Sequence, residues 1–182
     1  MRVELTDGTI LLRPWRTDDE DALYDAVMES LKELAPWMPW CHAGYQREES
    51  RTFLASREDA WRNDTEYGFA MIDVETGELL GSLGINQVNR EYRMANLGYW
   101  VRSSRTGRGV ALRATLLGAR FAFEQQRFER IEIMAAVGNL PSQRVALKAG
   151  ALREGILRRR LWIGEQPHDA VMFSLLREDL QA

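Results

Sequence analysis

Cysteine is nearly missing from this chain of 182 residues, which carries one, Cys41, and histidine is almost as scarce, with only His42 and His168. One thiol excludes an intrachain disulfide and fits a reducing compartment. Two histidines beside it are too few ligands for a Cys/His metal site, so no metal is expected. Cys41 and His42 are neighbours in sequence, and neighbours seldom meet in the geometry of a nucleophile and its base; they read as loop or interface residues. Any apolar run approaching the ~20 residues that cross a bilayer is also missing, and no signal peptide opens the sequence. The expectation is a cytoplasmic protein with no membrane partner. Nor is there an excess of basic charge. Lys and Arg number 24 against 27 Asp and Glu, a net charge of −3, which argues against a nucleic-acid partner while leaving room for a local basic pocket.

What is present is a globular composition, 45% hydrophobic and 28% charged, at a length suited to one domain over residues 1–182. Residues 9–12 read as a first strand ended by Arg13 and Pro14. Thr17 with Glu20 has the form of a capping box for a helix whose buried stripe is Leu23, Val27, Leu31 and Leu34. Pro36, Trp37, Met38, Pro39 and Trp40 then break it with two prolines and two indoles. That segment is too apolar for a solvated loop and could cap the core, wall a substrate pocket or meet a second subunit. A second helix is expected over 48–62, with Phe53, Leu54 and Trp61 inward. Strands follow at 67–74 and 79–88, then one ending at Val101, a helix over about 110–126, and a strand over 130–137. A final antiparallel pair is expected over 152–163 and 170–176, joined by residues 164–169, with Arg158, Arg159 and Arg160 on a solvated edge.

Two stretches carry chemistry. In Arg105, Thr106, Gly107, Arg108, Gly109, Val110 and Ala111, two glycines stand between a strand and a helix. Glycine there permits positive φ and close ligand approach. The first turn of the helix offers unpaired N–H groups at the positive end of its dipole, which is a site for phosphate. Arg102, Arg105, Arg108 and Arg113 surround the loop as cationic donors. The spacing is neither that of a P-loop nor that of the three-glycine dinucleotide fingerprint. In the second stretch, Asn139 is expected to cap a helix of about two turns that ends at Gly150, accepting the N–H of Ser142 and leaving the Ser142 hydroxyl free.

The ordered set resembles the GNAT superfamily of acyl-CoA N-acyltransferases, in its RimJ/RimL-type branch. Leu11 to Trp15 resemble the opening strand of that branch, Gly98 to Val101 its central strand, and Thr106 to Ala111 its pyrophosphate loop. Asn139, Ser142, Val145, Leu147, Lys148, Gly150, Glu154 and Gly155 resemble its third block, and Trp37, Pro39 and Trp40 its aromatic segment. The resemblance implies an α+β fold: a mostly antiparallel mixed sheet of about seven strands, splayed between the fourth and fifth, with helices on both faces. It implies acetyl-CoA as acyl donor, held by the backbone near Trp100 and Val101, by Thr106, Gly107, Arg108, Gly109, Val110 and Ala111, and by Asn139. It also implies that Ser142 protonates the leaving thiolate and that Trp37 and Trp40 contact the acceptor. A homodimer is a further expectation.

The chain departs from the family pattern at Thr106, where Gln or Arg is usual, and at Asn96, where many relatives carry a glutamate that assists deprotonation. Asn cannot act as a base; Glu132, Glu154 and Asp169 are the substitutes to weigh against plain surface pairing. Keeping an amine neutral at pH 7 costs about 4.6 kcal/mol for a lysine but about 1 kcal/mol for an α-amine. A chain without the glutamate therefore suits a protein or peptide N-terminus better than lysine. A small-molecule amine acetyltransferase is the alternative within catalysis, and a silent CoA-binding sensor the alternative outside it.

Overall fold

The computed structural model describes residues 3–181. In chain order they form β1 (Leu5–Thr6), β2 (Ile10–Pro14), α1 (Glu20–Leu34), α2 (Arg47–Arg62), β3 (Tyr67–Asp73), β4 (Leu79–Asn89), β5 (Met94–Val101), α3 (Val110–Glu124), β6 (Arg130–Ala136), α4 (Leu140–Lys148), β7 (Leu152–Ile163) and β8 (Gln166–Leu175). The strands make one sheet in the order β1-β2-β3-β4-β5-β6-β8-β7. It has one strand more than the seven expected, because Leu5 and Thr6 fold back on Leu12 and Leu11.

Every neighbouring pair is antiparallel except β5 and β6, which run parallel and pair only over Met94–Asn96 and Arg130–Glu132. Beyond Asn96 the two strands part. The split is therefore where the resemblance put it, between the strand ending at Val101 and the strand beginning at Arg130.

Alternation along the strands sorts two cores. Tyr67, Phe69, Leu83, Ile85 and Leu97 face α3, where they are essentially fully buried with Phe121. The fit is close at Gly118, since a Cβ there would stand 3.0 Å from both Leu83 methyls. Ala70 and Trp100 lie on the other face with Leu23, Ala26, Val27 and Leu54 of α1 and α2. Trp61 of α2 joins the α3 core instead, edge-on to Tyr67 and Phe69, and donates from Nε1 to the Gly68 carbonyl at 3.1 Å.

Two local expectations change. The start of α1 is not organised by Thr17 and Glu20. The carboxylate of Asp19 accepts the Arg16 N–H at 2.8 Å and forms a two-pronged pair with Arg13 at 2.6 and 2.7 Å, so the side chain nearer the first strand captures the role. The last hairpin is also tighter than expected. Gly164 and Glu165, both at positive φ, turn the chain in two residues, and β8 starts at Gln166.

Candidate functional site

The glycine loop has the geometry an anion cradle needs. Gly107 and Gly109 adopt φ of +74° and +79°, and nothing lies within 4 Å of where a Cβ would stand on either. Positive φ, not crowding, thus demands glycine here. Gly109 is the N-cap of α3 and its carbonyl accepts the Arg113 N–H at 3.0 Å, so the N–H groups that follow it are the unpaired ones of the first turn. Val110 is buried beneath the loop and Ala111 half-buried.

The arginines divide differently from the expectation. Arg102 pairs with Glu29 at 2.6 Å and Glu78 at 3.3 Å, Arg105 pairs with Glu78, and Arg113 with Asp7 at 2.7 Å. Carboxylates from α1, the β3–β4 turn and the β1–β2 turn have claimed three of the four cations. Among the described residues Arg108 alone of the four makes no ion pair; it is exposed. Thr106 donates its hydroxyl to the Ser103 carbonyl at 2.9 Å, which holds the loop's head in place.

Where β5 and β6 part, a cavity of about 780 Å³ opens, and it reaches residues on both sides of the sheet. Trp100, Asn139, Ser142, Trp37 and Trp40 all line it; Val101 and the glycine loop from Thr106 to Ala111 do not. The capping expectation holds in its first half: Asn139 Oδ1 accepts the Ser142 N–H at 3.1 Å. The second half needs correction, because the Ser142 hydroxyl is not free. It shares a hydrogen bond of 3.2 Å with the Tyr99 hydroxyl, which also lies 3.2 Å from the Ser142 carbonyl. Burial pushes the Tyr99 phenol up to about 12, only partly offset by the contact with Ser142. Tyr99 was legible in the sequence only as a strand aromatic, since its partner lies 43 residues away.

The Pro/Trp segment forms a wall of this cavity. Trp40, 40% exposed, leans over Trp100 with ring centroids 6.0 Å apart. Trp37 reaches across the split, its ring 3.4 Å from where a Cβ would stand on Gly138, next to Asn139. Cys41 is buried and His42 turns outward to Glu49 at 3.0 Å, so the two do not act together.

None of the carboxylates named as substitute bases borders the cavity. Glu132 and Glu154 both pair with Arg130, at 3.0 and 2.5 Å, and Asp169 accepts the Arg159 N–H at 2.7 Å. The hydrogen bond from Arg130 holds the Glu154 carboxyl at about 2, far too weak a base for an amine. The carboxylates that do border it are Glu48, Glu49 and Glu66, and Glu66 pairs with Arg57 at 2.7 Å. Sequence reasoning missed Glu66 because only the register of β3 on β4 brings it beside the site.

A family model described as an acetyltransferase (GNAT) domain matches residues 9–152. The chain belongs to the GNAT acetyltransferase family. Among relatives of this GNAT chain is the Bacillus subtilis protein named "Putative ribosomal N-acetyltransferase YdaF", 27% identical over 93% of this chain and 92% of its own. RimJ of Mycobacterium smegmatis, solved in complex with CoA-disulfide, superposes with a TM-score of 0.86 at 28% identity, covering 99% of this chain and 88% of that one. The ribosomal-protein-S5-alanine acetyltransferase of Vibrio fischeri shares the fold with a TM-score of 0.87 at 21% identity over the full length of both. Among the described residues no cluster of three or more His, Cys, Asp or Glu is arranged to hold a metal, and no helix is long and apolar enough to cross a membrane.

Proposed function

We propose that this GNAT acetyltransferase is of the RimJ/RimL type and transfers the acetyl group of acetyl-CoA to the N-terminal α-amine of a protein or peptide. The observation that carries the reading is the cavity that passes through the split of the sheet, with the Tyr99–Ser142 pair, Asn139 and Asn96 all in its walls. The name of YdaF, a putative ribosomal N-acetyltransferase, supports a protein acceptor.

The residues present fit the donor. Open N–H groups from Gly107 to Ala111, with the exposed Arg108, suit its pyrophosphate. The edge of β5 from Leu97 to Val101, unpaired by β6, offers main-chain partners for an extended amide-bearing arm beside Trp100 and Val101. When bound, the group supplies an activated acyl carbon. Attack by a neutral amine expels a thiolate, Ser142, in hydrogen bond with Tyr99, hands a proton to that sulfur, and the proton that the nitrogen sheds as the amide forms passes to water, from which the Ser142–Tyr99 pair is reprotonated. The acceptor enters beneath Trp37 and Trp40, on the α1–α2 side of the split.

No base beside Asn96 is required if the amine arrives neutral, which an α-amine does at little cost. An amine-panel assay that follows thiol release tests the reading. N-terminal peptides are expected to outpace lysine side chains; lysine turnover at equal or higher rate, or faster turnover of small-molecule amines, would overturn the acceptor class.

A further inference from the structure

Two buried side-chain polar atoms lack a hydrogen-bond partner among the described residues, Trp15 Nε1 and Asn96 Oδ1, and both residues line the cavity at the split. One is a donor and the other an acceptor. Each unpaired buried group costs about 1–3 kcal/mol, so two in one cavity point to a ligand that satisfies them.

The surroundings fix both atoms. Trp15 is 7% exposed and is held edge-on by Phe53 with ring centroids 5.8 Å apart. The Asn96 amide nitrogen donates to Asn86 Oδ1 at 2.9 Å, which orients its own oxygen. Between them the sheet has no side chains. Gly68 pairs with Gly84 and Gly84 with Gly98 in register, so three glycines cross three adjacent strands on the cavity face. Trp15 and Arg57 stand over the Gly68 end of this row, 3.4 and 3.5 Å from where a Cβ would be, Arg57 being paired with Glu66, and the Asn96 amide stands beside the Gly98 end, at 3.9 Å. A side chain at Gly84 would meet Glu66 Oε1 at 3.4 Å, so the middle of the row borders a carboxylate.

The row spans two strand spacings, about 9.6 Å. An amine and a carbonyl oxygen on adjacent carbons lie about 3 Å apart. With a hydrogen bond of about 2.9 Å at each end, such a unit spans about 9 Å, the scale of the row.

We infer that Asn96 Oδ1 and Trp15 Nε1–H are the two anchors of the acceptor, the first taking the N–H of the attacking α-amine and the second donating to the carbonyl of the same residue, over the glycine floor. This rests on the N-acetyltransferase reading above and narrows its substrate to an α-aminoacyl unit, since an alkyl amine supplies the N–H but leaves Trp15 unpaired. It also gives Asn96 a purpose that a base does not: an amide oxygen orients the amine without trapping it as the ammonium partner of a carboxylate.

The test compares alaninamide with isopropylamine, which has the same branched carbon but no carbonyl, as acceptors, with rates expressed per neutral amine. The wild-type protein is expected to favour alaninamide by about tenfold or more in kcat/KM. Trp15→Phe is expected to erase most of that ratio while CoA binding by calorimetry stays unchanged. Asn96→Leu should lower both acceptors together, and Asn96→Asp, whose carboxylate holds the amine as its ammonium partner and loses the donor to Asn86, should not restore them. Equal use of the two amines by the wild-type protein overturns the assignment without any variant, as does a Trp15→Phe protein that loses both amines alike. Failure of the wild-type protein to acetylate any amine while still binding acetyl-CoA overturns the transferase reading itself, and the assignment with it.

Discussion

In the proposed transfer, Ser142 and Tyr99 divide one task. A serine hydroxyl alone is a poor acid toward a thiolate, whereas a phenol that shares a hydrogen bond with it can replace the proton it gives up. With its phenol pushed up to about 12 by burial, Tyr99 stays protonated across the whole neutral range. Ser142→Ala is expected to lower kcat by about 10²–10⁴-fold. Tyr99→Phe should lower it less, with the KM for acetyl-CoA little changed in both; steady-state kinetics check the order, and a Tyr99→Phe protein slower than Ser142→Ala would make the phenol the direct donor. A second residue-scale contrast concerns the cradle. At φ of +79° a β-branched side chain on Gly109 strains the backbone whatever the space around it, while Arg108 contributes one exposed charge. Calorimetry should find CoA binding weakened much more by Gly109→Val than by Arg108→Ala. Comparable losses would mean that charge and not backbone geometry governs the loop.

At the scale of elements, the loop from β5 to α3 is latched to α1. Ser103 N–H donates to Ser30 Oγ at 2.9 Å, Ser104 N–H to Glu29 at 3.0 Å, and Arg102 to the same Glu29 carboxylate at 2.6 Å. Ser104 first, and Arg102 with it, hold the Glu29 carboxyl at about 2 against an ordinary 4.5. A carboxyl whose folded value lies below its unfolded one stabilises the fold above the unfolded value and loses that contribution as pH falls from about 4.5 toward 2. Melting temperatures should therefore be lower for Glu29→Gln at pH 7 and converge with the wild-type protein on acidification through that window; an unchanged gap at pH 3 would count against the latch. This latch explains what the sequence could and could not convey. The glycines and the strand and helix around them are local signals, legible from residue type and spacing, as is Asn139 capping Ser142 three residues on. The arginines beside them misled because their partners, Glu29, Glu78 and Asp7, lie from 24 to 106 residues away, and nothing local announces an ion pair. Tyr99, Glu66 and Trp15 stayed hidden for the same reason: cross-strand register and helix docking, not neighbouring residues, bring them to the cavity.

For the molecule as a whole, the decisive feature is that the split in the sheet is a passage. The glycine loop and the Tyr99–Ser142 pair lie toward α3 and α4, and the glycine floor and the tryptophan wall lie toward α1 and α2. A cavity of about 780 Å³ in continuous contact with Ser142 and Asn96 leaves room for amine and thioester to meet directly. A covalent relay through a cysteine would need a thiol in that space. The chain's one thiol, Cys41, is 3% exposed, outside the cavity lining, and pushed up by burial, so it is neither accessible nor ionised. Initial-rate lines with acetyl-CoA and peptide both varied should thus intersect, as they do when both substrates must be bound before transfer, and intact-mass spectrometry after incubation with acetyl-CoA alone should detect no acetylated protein. Parallel lines together with an acetyl adduct would establish an acyl-enzyme route and remove the reason for a passage through the sheet.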